Sequence, residues 1–171
     1  MSVADGLVWR SPTPEDAETL GRLNHRAWVD AYSDLLPDDW FEHWTVDDAI
    51  AKWQRILASP VPEGLVRTAV FDEAGAAVAW VVAGPTQTEE GIEPARPLGL
   101  WSIYVAREHH GSGLARALAE WALGDAPAEL WVFDGNPRAE AFYRKLGFER
   151  DGVEAPHLET GLPGIRMVRG D

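Results

Sequence analysis

The sequence predicts an α+β fold in which a mixed, mostly antiparallel central sheet of about seven strands has helices on both faces. Segments with the apolar spacing of strands and of helices alternate along the chain, and the most regular alternation lies in residues 101–148. That stretch is predicted as strand, glycine turn, helix, strand, helix and strand. A length of 171 residues with 46% hydrophobic residues predicts one domain, 1–171, with a full core.

The first half of the chain predicts a strand, three helices and a hairpin. Leu7–Arg10 has the pattern of a first strand, Thr13 is suited to cap the first helix, and a second helix is expected after Pro37. Thr45 predicts the cap of a third helix that reaches about residue 58. Residues 64–72 and 76–83 predict antiparallel strands, and residues 84–97 a polar loop.

The second half predicts four further strands and two helices. A helix follows the glycine turn and ends near Gly124, and another begins at Pro137. We expect residues 151–164 to be irregular and residues 165–169 to form the last strand. Three tryptophans are predicted to lie in the core, in or against strands: Trp101, Trp121 and Trp131.

Composition excludes several classes of protein. The chain has no cysteine, so a disulfide framework, a thiolate zinc site and a cysteine nucleophile are all ruled out, and no metal is expected. The formal net charge of −13 with no basic stripe argues against a nucleic-acid partner. The first residues lack the pattern of a signal peptide, and no apolar run has membrane-spanning length, which predicts a cytoplasmic protein without a membrane partner.

The negative charge is unevenly distributed. Residues 1–100 have 7 Lys/Arg and 17 Asp/Glu, whereas residues 101–150 have 6 and 7. The segment with the glycine turn is therefore nearly neutral. The acidity of the first part agrees with a solvated surface or with attraction of a cationic ligand.

The glycine turn predicts a phosphate site made of main chain. His110-Gly-Ser-Gly-Leu-Ala115 stands at the start of a helix, where unpaired N–H groups and the helix dipole attract anions. A dinucleotide fingerprint needs Gly or Ala where Arg116 stands, although Asp134 lies where a ribose-binding acid is expected. A Walker loop is excluded because Gly-Lys-Ser/Thr does not occur.

Read as His110-x-x-Gly113-x-Ala115, the turn resembles the coenzyme A pyrophosphate loop of the GNAT N-acetyltransferases, with His in place of the usual Arg or Gln. The flanking segments fit the same family in order and spacing. Leu100–Val105 resembles its fourth strand and Leu130–Phe133 its fifth, while Leu146-Gly-Phe148 resembles its sixth. The resemblance is clearest over residues 98–150.

This resemblance implies acetyl-CoA as cosubstrate and a set of residues that bind it. The turn would hold the pyrophosphate, the backbone edge of the fourth strand would pair with the pantetheine arm, and Asn136 would contact a pantetheine amide or cap its helix. The fourth and fifth strands are expected to splay apart around the arm. The predicted cofactor-binding residues are Ile103, Tyr104, Val105, His110, Gly111, Ser112, Gly113, Leu114, Ala115, Arg116 and Asn136.

Tyr143 is the predicted catalytic residue. The family places a tyrosine at this point of the helix after the fifth strand, and a phenol can protonate the departing sulfur. The general base is left open. Gly99 stands where many relatives have a carboxylate, and the other candidates are a water chain, His157 in a late loop, and three upstream acids, Glu89, Glu90 and Glu93.

The acceptor pocket of the family lies under the first helices. His25, Trp28 and Tyr32 form one stripe of the first helix, with Trp28 and Tyr32 the predicted substrate-binding residues. Four aspartates surround the stripe, and a negative aromatic pocket suits a cation. The acids are Asp30, Asp34, Asp38 and Asp39.

The sequence therefore predicts an acetyl-CoA-dependent N-acetyltransferase that acts by direct attack in a ternary complex on the amine of a small cationic molecule. One alternative is a protein N-terminal or lysine acetyltransferase. An alternative of another class is an acyl-CoA-binding sensor or pseudoenzyme, which the missing carboxylate favours and Tyr143 opposes. The oligomeric state is left open, with the homodimer common in the family.

Overall fold

A computed structural model describes residues 6–87 and 91–170 of the protein. Within them seven strands form one sheet in the order β1-β2-β3-β4-β5-β7-β6, antiparallel throughout except for the parallel pair β4 and β5. The predicted fold class is confirmed. The strands are β1 Val8–Arg10, β2 Val66–Phe71, β3 Ala77–Pro85, β4 Leu98–Val105, β5 Ala128–Phe133, β6 Glu149–Pro156 and β7 Pro163–Arg169.

The helices begin where capping residues predict. Thr13 precedes a 3₁₀ turn that leads into the first helix, and the Thr45 hydroxyl accepts a hydrogen bond of 3.4 Å from the N–H of Asp48. A second 3₁₀ turn, Arg107–His109, follows β4. The α-helices are α1 Ala17–Tyr32, α2 Trp40–His43, α3 Val46–Ala58, α4 Leu114–Leu123 and α5 Pro137–Lys145.

α1 and α3 pack closely on one face of the sheet because Gly21 lacks a side chain. A Cβ at Gly21 would lie 2.5 Å from the Cα of Ile50, so a larger residue would push the two helices apart. Asn24 accepts a hydrogen bond of 3.2 Å from the indole of Trp53, whose ring packs edge-on against Trp80 of β3. These contacts fix α1 and α3 above the middle of the sheet.

α4 covers the opposite face of the sheet. Two consecutive residues of β2 contact the helices on the two faces. Arg67 donates to the carbonyl of Ile56 in α3, whereas Thr68 accepts from the indole of Trp121 in α4. Trp121 is nevertheless 65% exposed, so its predicted place in the core is wrong. Its indole N–H donates to the buried Thr68 hydroxyl. The ring packs edge-on against Trp9 on one side, and most of its surface is exposed to solvent.

The expected irregular segment 151–164 is the largest error in the secondary-structure prediction. Residues 149–156 form β6, the outer strand, which pairs with β7 from position 163 onward. Most β6 side chains are exposed, so the apolar alternation that identifies a half-buried strand is absent. The sixth strand was predicted at residues 146–148. It starts instead at Glu149, after Phe148, which is fully buried in the connection that follows α5.

β4 and β5 diverge, and their divergence places the site. Their pairing covers only positions 98–100 of β4 against 128–130 of β5, although all residues of both strands are described. β4 is irregular at Trp101, since Val82 pairs with Ser102 and Ala83 with Leu100. The expected splaying of the fourth and fifth strands is therefore present, and β4 keeps an open backbone edge beyond Leu100.

No helix in the described ranges combines the length and the apolar character needed to cross a membrane.

Candidate active site

A cavity of about 1370 Å³ occupies the gap between β4 and β5 and extends across the face of the sheet under α1 and α3. We call the part bounded by the glycine turn and α5 the cofactor side, lined by Arg107, His110, Gly111, Gly113, Asn136, Arg138 and Lys145. We call the part under α1 and α3 the acceptor side, lined by Trp28, Tyr32, Lys52, Arg67, Trp80 and Ser102.

The glycine turn provides a cradle of backbone on the cofactor side. Gly111 and Gly113 have φ values of +80° and +88°, a region that other L-residues rarely adopt. Apart from the glycine and its two chain neighbours, no atom of the described residues lies within 4 Å of the position that a Cβ would take at either glycine. This open space lets a ligand approach the main chain directly.

Four amides of the turn have no acceptor in the described part of the chain: those of Gly111, Gly113, Ala115 and Arg116. The other two are used internally. The N–H of Ser112 donates to the carbonyl of His109, and that of Leu114 donates to the Ser112 hydroxyl, both at 3.3 Å. The turn is thus a four-donor anion site at a helix N-terminus.

The side chains of the turn do less than its backbone. The His110 ring binds the carbonyl of Val105 at 2.9 Å, and Arg116 forms an ion pair of 2.7 Å with Glu120. Ser112 and Leu114 do not line the cavity: the hydroxyl of Ser112 donates to His109, and Leu114 is 1% exposed in the core.

Three cations that sequence reasoning missed line the cofactor side. Arg107, Arg138 and Lys145 have no carboxylate within 4 Å among the described residues. Arg138 stands in the first turn of α5, where a cation opposes the helix dipole. Because a cation at this position does not stabilise the helix, the sequence alone could have indicated Arg138 as a candidate for ligand binding.

The backbone edge of Ile103–Val105 borders the cavity beside the turn. The strand pairs with β3 on one side, and on the other it lies past the last β5 pair. Ile103 and Tyr104 themselves line the cavity. An extended chain could add to this edge as another strand does.

Three tyrosines meet where the two sides of the cavity join. The hydroxyls of Tyr32 and Tyr104 lie 3.1 Å apart, and Tyr143 of α5 lies close enough to interact electrostatically with both. Burial, followed by the neighbouring Tyr32, raises the pKa of Tyr143 well above its usual value. Burial likewise raises the pKa values of Tyr32 and Tyr104, so all three phenols hold their protons at neutral pH.

Asn136 closes the cofactor side as the cap of α5. Its side-chain oxygen accepts a hydrogen bond of 3.2 Å from the N–H of Ala139, and Pro137 occupies the first helical position. The predicted capping role is confirmed. The residue also lines the cavity, so its side-chain NH₂ group is near any ligand there.

The aromatic stripe of α1 faces the acceptor side only in part. Trp28 is 9% exposed and packs against Tyr32, Trp44 and Phe133. Trp28 and Tyr32 both line the cavity, whereas His25 stacks on Trp44 at 5.3 Å and does not. Two of the four nearby aspartates, Asp30 and Asp34, border the cavity, and Asp38 and Asp39 do not.

The candidate bases occupy varied positions. Nδ1 of His157 lies 3.3 Å from the N–H of Thr160, which favours the tautomer with its proton on Nε2. Glu93 lies in the described loop, outside the cavity lining, while Glu89 and Glu90 lie outside the described residues. A buried acid that sequence reasoning missed, Glu129, pairs in register with Gly99 but binds the N–H groups of residues 95 and 96.

The fold and the four-donor turn beside an open strand edge define a class, the acyl-CoA-dependent transferases. The Acetyltransferase (GNAT) family matches residues 26–148, so the chain belongs to this family. The enzyme class predicted from the sequence, N-acetyltransferase, is confirmed at the level of the family.

Individual relatives agree with this assignment. N-alpha-acetyltransferase 40 of Saccharomyces cerevisiae is 33% identical over 133 residues, which are 66% of this chain and 45% of that protein. The chain thus spans less than half the length of this relative.

Solved structures show the same fold. The crystal structure of PaiA N-acetyltransferase from Thermoplasma acidophilum in complex with coenzyme A has a TM-score of 0.65 at 16% identity, covering 98% of this chain and 100% of that one. A spermidine N-acetyltransferase SpeG chimera from Vibrio cholerae has a TM-score of 0.59 at 18% identity, covering 96% and 95%.

Proposed function

We propose that the protein transfers the acetyl group of acetyl-CoA to the primary amine of a small cationic molecule by direct attack in a ternary complex. The observation that carries this proposal is the continuous cavity, in which the glycine turn and the acceptor side meet at Tyr143. Two ligands can therefore be present at once, and no residue has to carry the acetyl group between them. The absence of cysteine also removes the usual thiol route.

The residues of the cofactor side fit coenzyme A. The free amides of Gly111, Gly113, Ala115 and Arg116 suit a pyrophosphate, and the unpaired Arg107, Arg138 and Lys145 suit its remaining charge. The backbone of residues 103–105 would pair with the pantetheine amides, and the NH₂ group of Asn136 would donate to a pantetheine carbonyl. When bound, the cosubstrate supplies the acetyl thioester.

Tyr143 is the proposed general acid. As the amine nitrogen bonds to the acetyl carbon and the carbon–sulfur bond breaks, the sulfur needs a proton, and the Tyr143 hydroxyl supplies it. Its raised pKa keeps that proton in place until the bond breaks. The acceptor ammonium loses one proton to water before the attack and a second one as the amide forms, and this second proton restores the Tyr143 phenol; no side chain is assigned as base.

The acceptor side supports a compact amine. Trp28 and Tyr32 offer aromatic faces to an ammonium group, and Asp30 and Asp34 add negative charge at the border of the cavity. A second candidate acceptor is a protein N-terminus, favoured by the similarity to N-alpha-acetyltransferase 40. The predictions of a cytoplasmic location and of a homodimer remain predictions, as does the single domain over residues 1–171.

Release of coenzyme A from acetyl-CoA, measured with a panel of acceptors, tests the proposal. The panel contains polyamines, aminoglycosides, amino acids and peptides with free N-termini. Turnover with small amines at least tenfold above that with peptides supports the proposed acceptor class, and the reverse ratio supports the second candidate. Binding of acetyl-CoA without turnover on any amine would leave the acyl-CoA sensor as the better description.

A further inference from the structure

We propose that Arg67 binds an anionic oxygen group of the acceptor, a carboxylate or a phosphoryl group, so that the substrate has an amine at one end and an acid at the other. This inference rests on the proposed acetyl transfer and refines its substrate class: the positive charge of the acceptor is confined to its ammonium end, and its other end is anionic. It concerns the wall of the acceptor side formed by β2, β3 and β4, opposite the cofactor side.

Arg67 is a cation on the cavity wall without a counter-charge. Its one hydrogen bond in the described residues joins NH1 to the carbonyl of Ile56, at 3.2 Å, and its Nε is buried with no partner. No carboxylate of the described chain lies within 4 Å of the guanidinium. Four of its five N–H donors therefore have no partner. One of these is the buried Nε, and the other three, on NH1 and NH2, are left for a ligand.

The other covered arginines of the described residues have more partners than Arg67. Arg166 is 7% exposed and donates to Asp151 at 2.7 Å, and the half-buried Arg96 and Arg169 each donate to three backbone carbonyls. A partly buried charge with so few partners costs free energy of folding. Burial also lowers the pKa of Arg67. A position that weakens folding and faces a cavity is typical of a residue that contacts a ligand.

Polar groups beside Arg67 add further donors to this binding site for an anionic group. Arg67, Val82 and Ser102 stand side by side in register across β2, β3 and β4. The Ser102 oxygen accepts from the Trp80 indole at 3.0 Å, which leaves the hydroxyl proton to donate. Lys52 of α3 lines the same cavity and forms no ion pair in the described residues.

The geometry also limits the size of the acceptor. Neighbouring strands are about 4.8 Å apart, so the backbones of β2 and β4 are separated by roughly 10 Å. The Arg67 guanidinium lies beside α3, where NH1 donates to the carbonyl of Ile56, and the acetyl group would lie beside β4. We therefore expect the amine and the acid of the acceptor to be separated by roughly 10 Å, the span of a short chain.

Matched substrates test this assignment. The probes are amino acids with three to six carbons between amine and carboxylate, the corresponding primary amides, and aminoalkyl phosphates of the same lengths. Wild-type kcat/KM should favour the best acid over its amide by roughly 10- to 100-fold, the effect of one charge-assisted hydrogen-bonded pair. A preference for phosphates over carboxylates would identify the phosphoryl group as the anion.

Arg67→Met keeps the apolar stem and removes the guanidinium. It should reduce this preference to near unity, and Arg67→Lys should restore part of it. Arg55→Met is the control, because it removes an exposed cation from the last turn of α3 and should keep the preference. An equal loss for acids and amides in Arg67→Met, or no acid preference in the wild type, would overturn the inference.

A binding measurement keeps the inference separate from the proposed function. Calorimetric titration of the N-acetylated acids and amides into the protein with coenzyme A needs no turnover. Acid-selective binding that Arg67→Met abolishes supports the inference even where no amine is acetylated. Turnover of amines without acid selectivity in either measurement would contradict the inference and leave the acetyl transfer standing.

Discussion

The cofactor side and the acceptor side of the cavity are built from different parts of the chain. The cofactor side comes mainly from one continuous segment, residues 103–116, and offers backbone amides. The acceptor side is assembled from α1, α3 and strands β2 to β5, and offers side chains. A ligand common to a whole family can be held by main chain, whereas a particular acceptor needs side chains that vary from one member to another.

Tyr143 lies at the junction of the two sides, and its replacement should have the largest effect. Tyr143→Phe keeps the ring and should lower kcat by roughly 10²- to 10⁴-fold, because the departing sulfur loses its proton donor. Affinity for acetyl-CoA should change little in equilibrium titrations. Tyr32→Phe, which removes a hydroxyl bound to Tyr104, is the comparison variant and should have the smaller effect on kcat.

Equal turnover by Tyr143→Phe and wild type, with the chemical step shown to limit the rate, would remove Tyr143 from the mechanism.

The backbone character of the cofactor side predicts the next effect. Gly113→Val should weaken coenzyme A binding by well over tenfold, roughly 1.4 kcal/mol or more, because the side chain fills the space above the amides. The control is Gly124→Val at the other end of α4, where φ is +52° and the surrounding space is also open. Both variants strain the backbone, but only Gly113→Val should change the calorimetric Kd; full affinity in a folded Gly113→Val would refute this placement.

The cations of the cofactor side should contribute less than its backbone. Arg138→Gln should weaken coenzyme A binding by roughly two- to fivefold at low salt, since it removes an exposed charge with no carboxylate partner. Arg116→Gln should do less, because Glu120 already neutralises Arg116 at 2.7 Å. Titrations at several salt concentrations measure both; a larger loss for Arg116→Gln would show that its ion pair opens for the ligand.

The acidic border of the acceptor side should give the smallest effect. Replacing Asp30 and Asp34 together by Asn should raise the acceptor KM a few-fold, because the exposed aspartates attract a cationic amine only within about 8–10 Å at physiological salt. Added salt should act in the same direction, and the KM for acetyl-CoA should change less or fall. If neither the double substitution nor added salt changes the acceptor KM, these acids are only part of a solvated surface.

Much of the fold and the cofactor side could be predicted from the sequence because their determinants are local. Glycines at positive φ, a capping asparagine and an N-terminal proline occupy neighbouring positions, and each has a conformational meaning of its own. β6 was missed because it lies at the edge of the sheet and most of its side chains face solvent. A strand exposed to this extent lacks the apolar alternation on which prediction depends.

The acceptor side could not be predicted in the same way. Arg67 is one charged residue in an ordinary strand. That it has no carboxylate beside it is seen only once α3 and β3 are packed against it. Glu129 shows the same difficulty, since its bonds to the N–H groups of residues 95 and 96 join segments more than thirty positions apart. Long-range neighbours, and not residue types, decide the role of both residues.

The short pairing of β4 with β5 has a consequence for amide hydrogen exchange. Successive N–H groups of a strand point to opposite edges, so beyond Leu100 alternate amides of β4 face β3 and the open gap. The first set is held in a regular ladder, and the second has no strand partner. We therefore expect this single strand to contain slowly and rapidly exchanging amides in alternation, and an extended ligand in the gap should protect the second set.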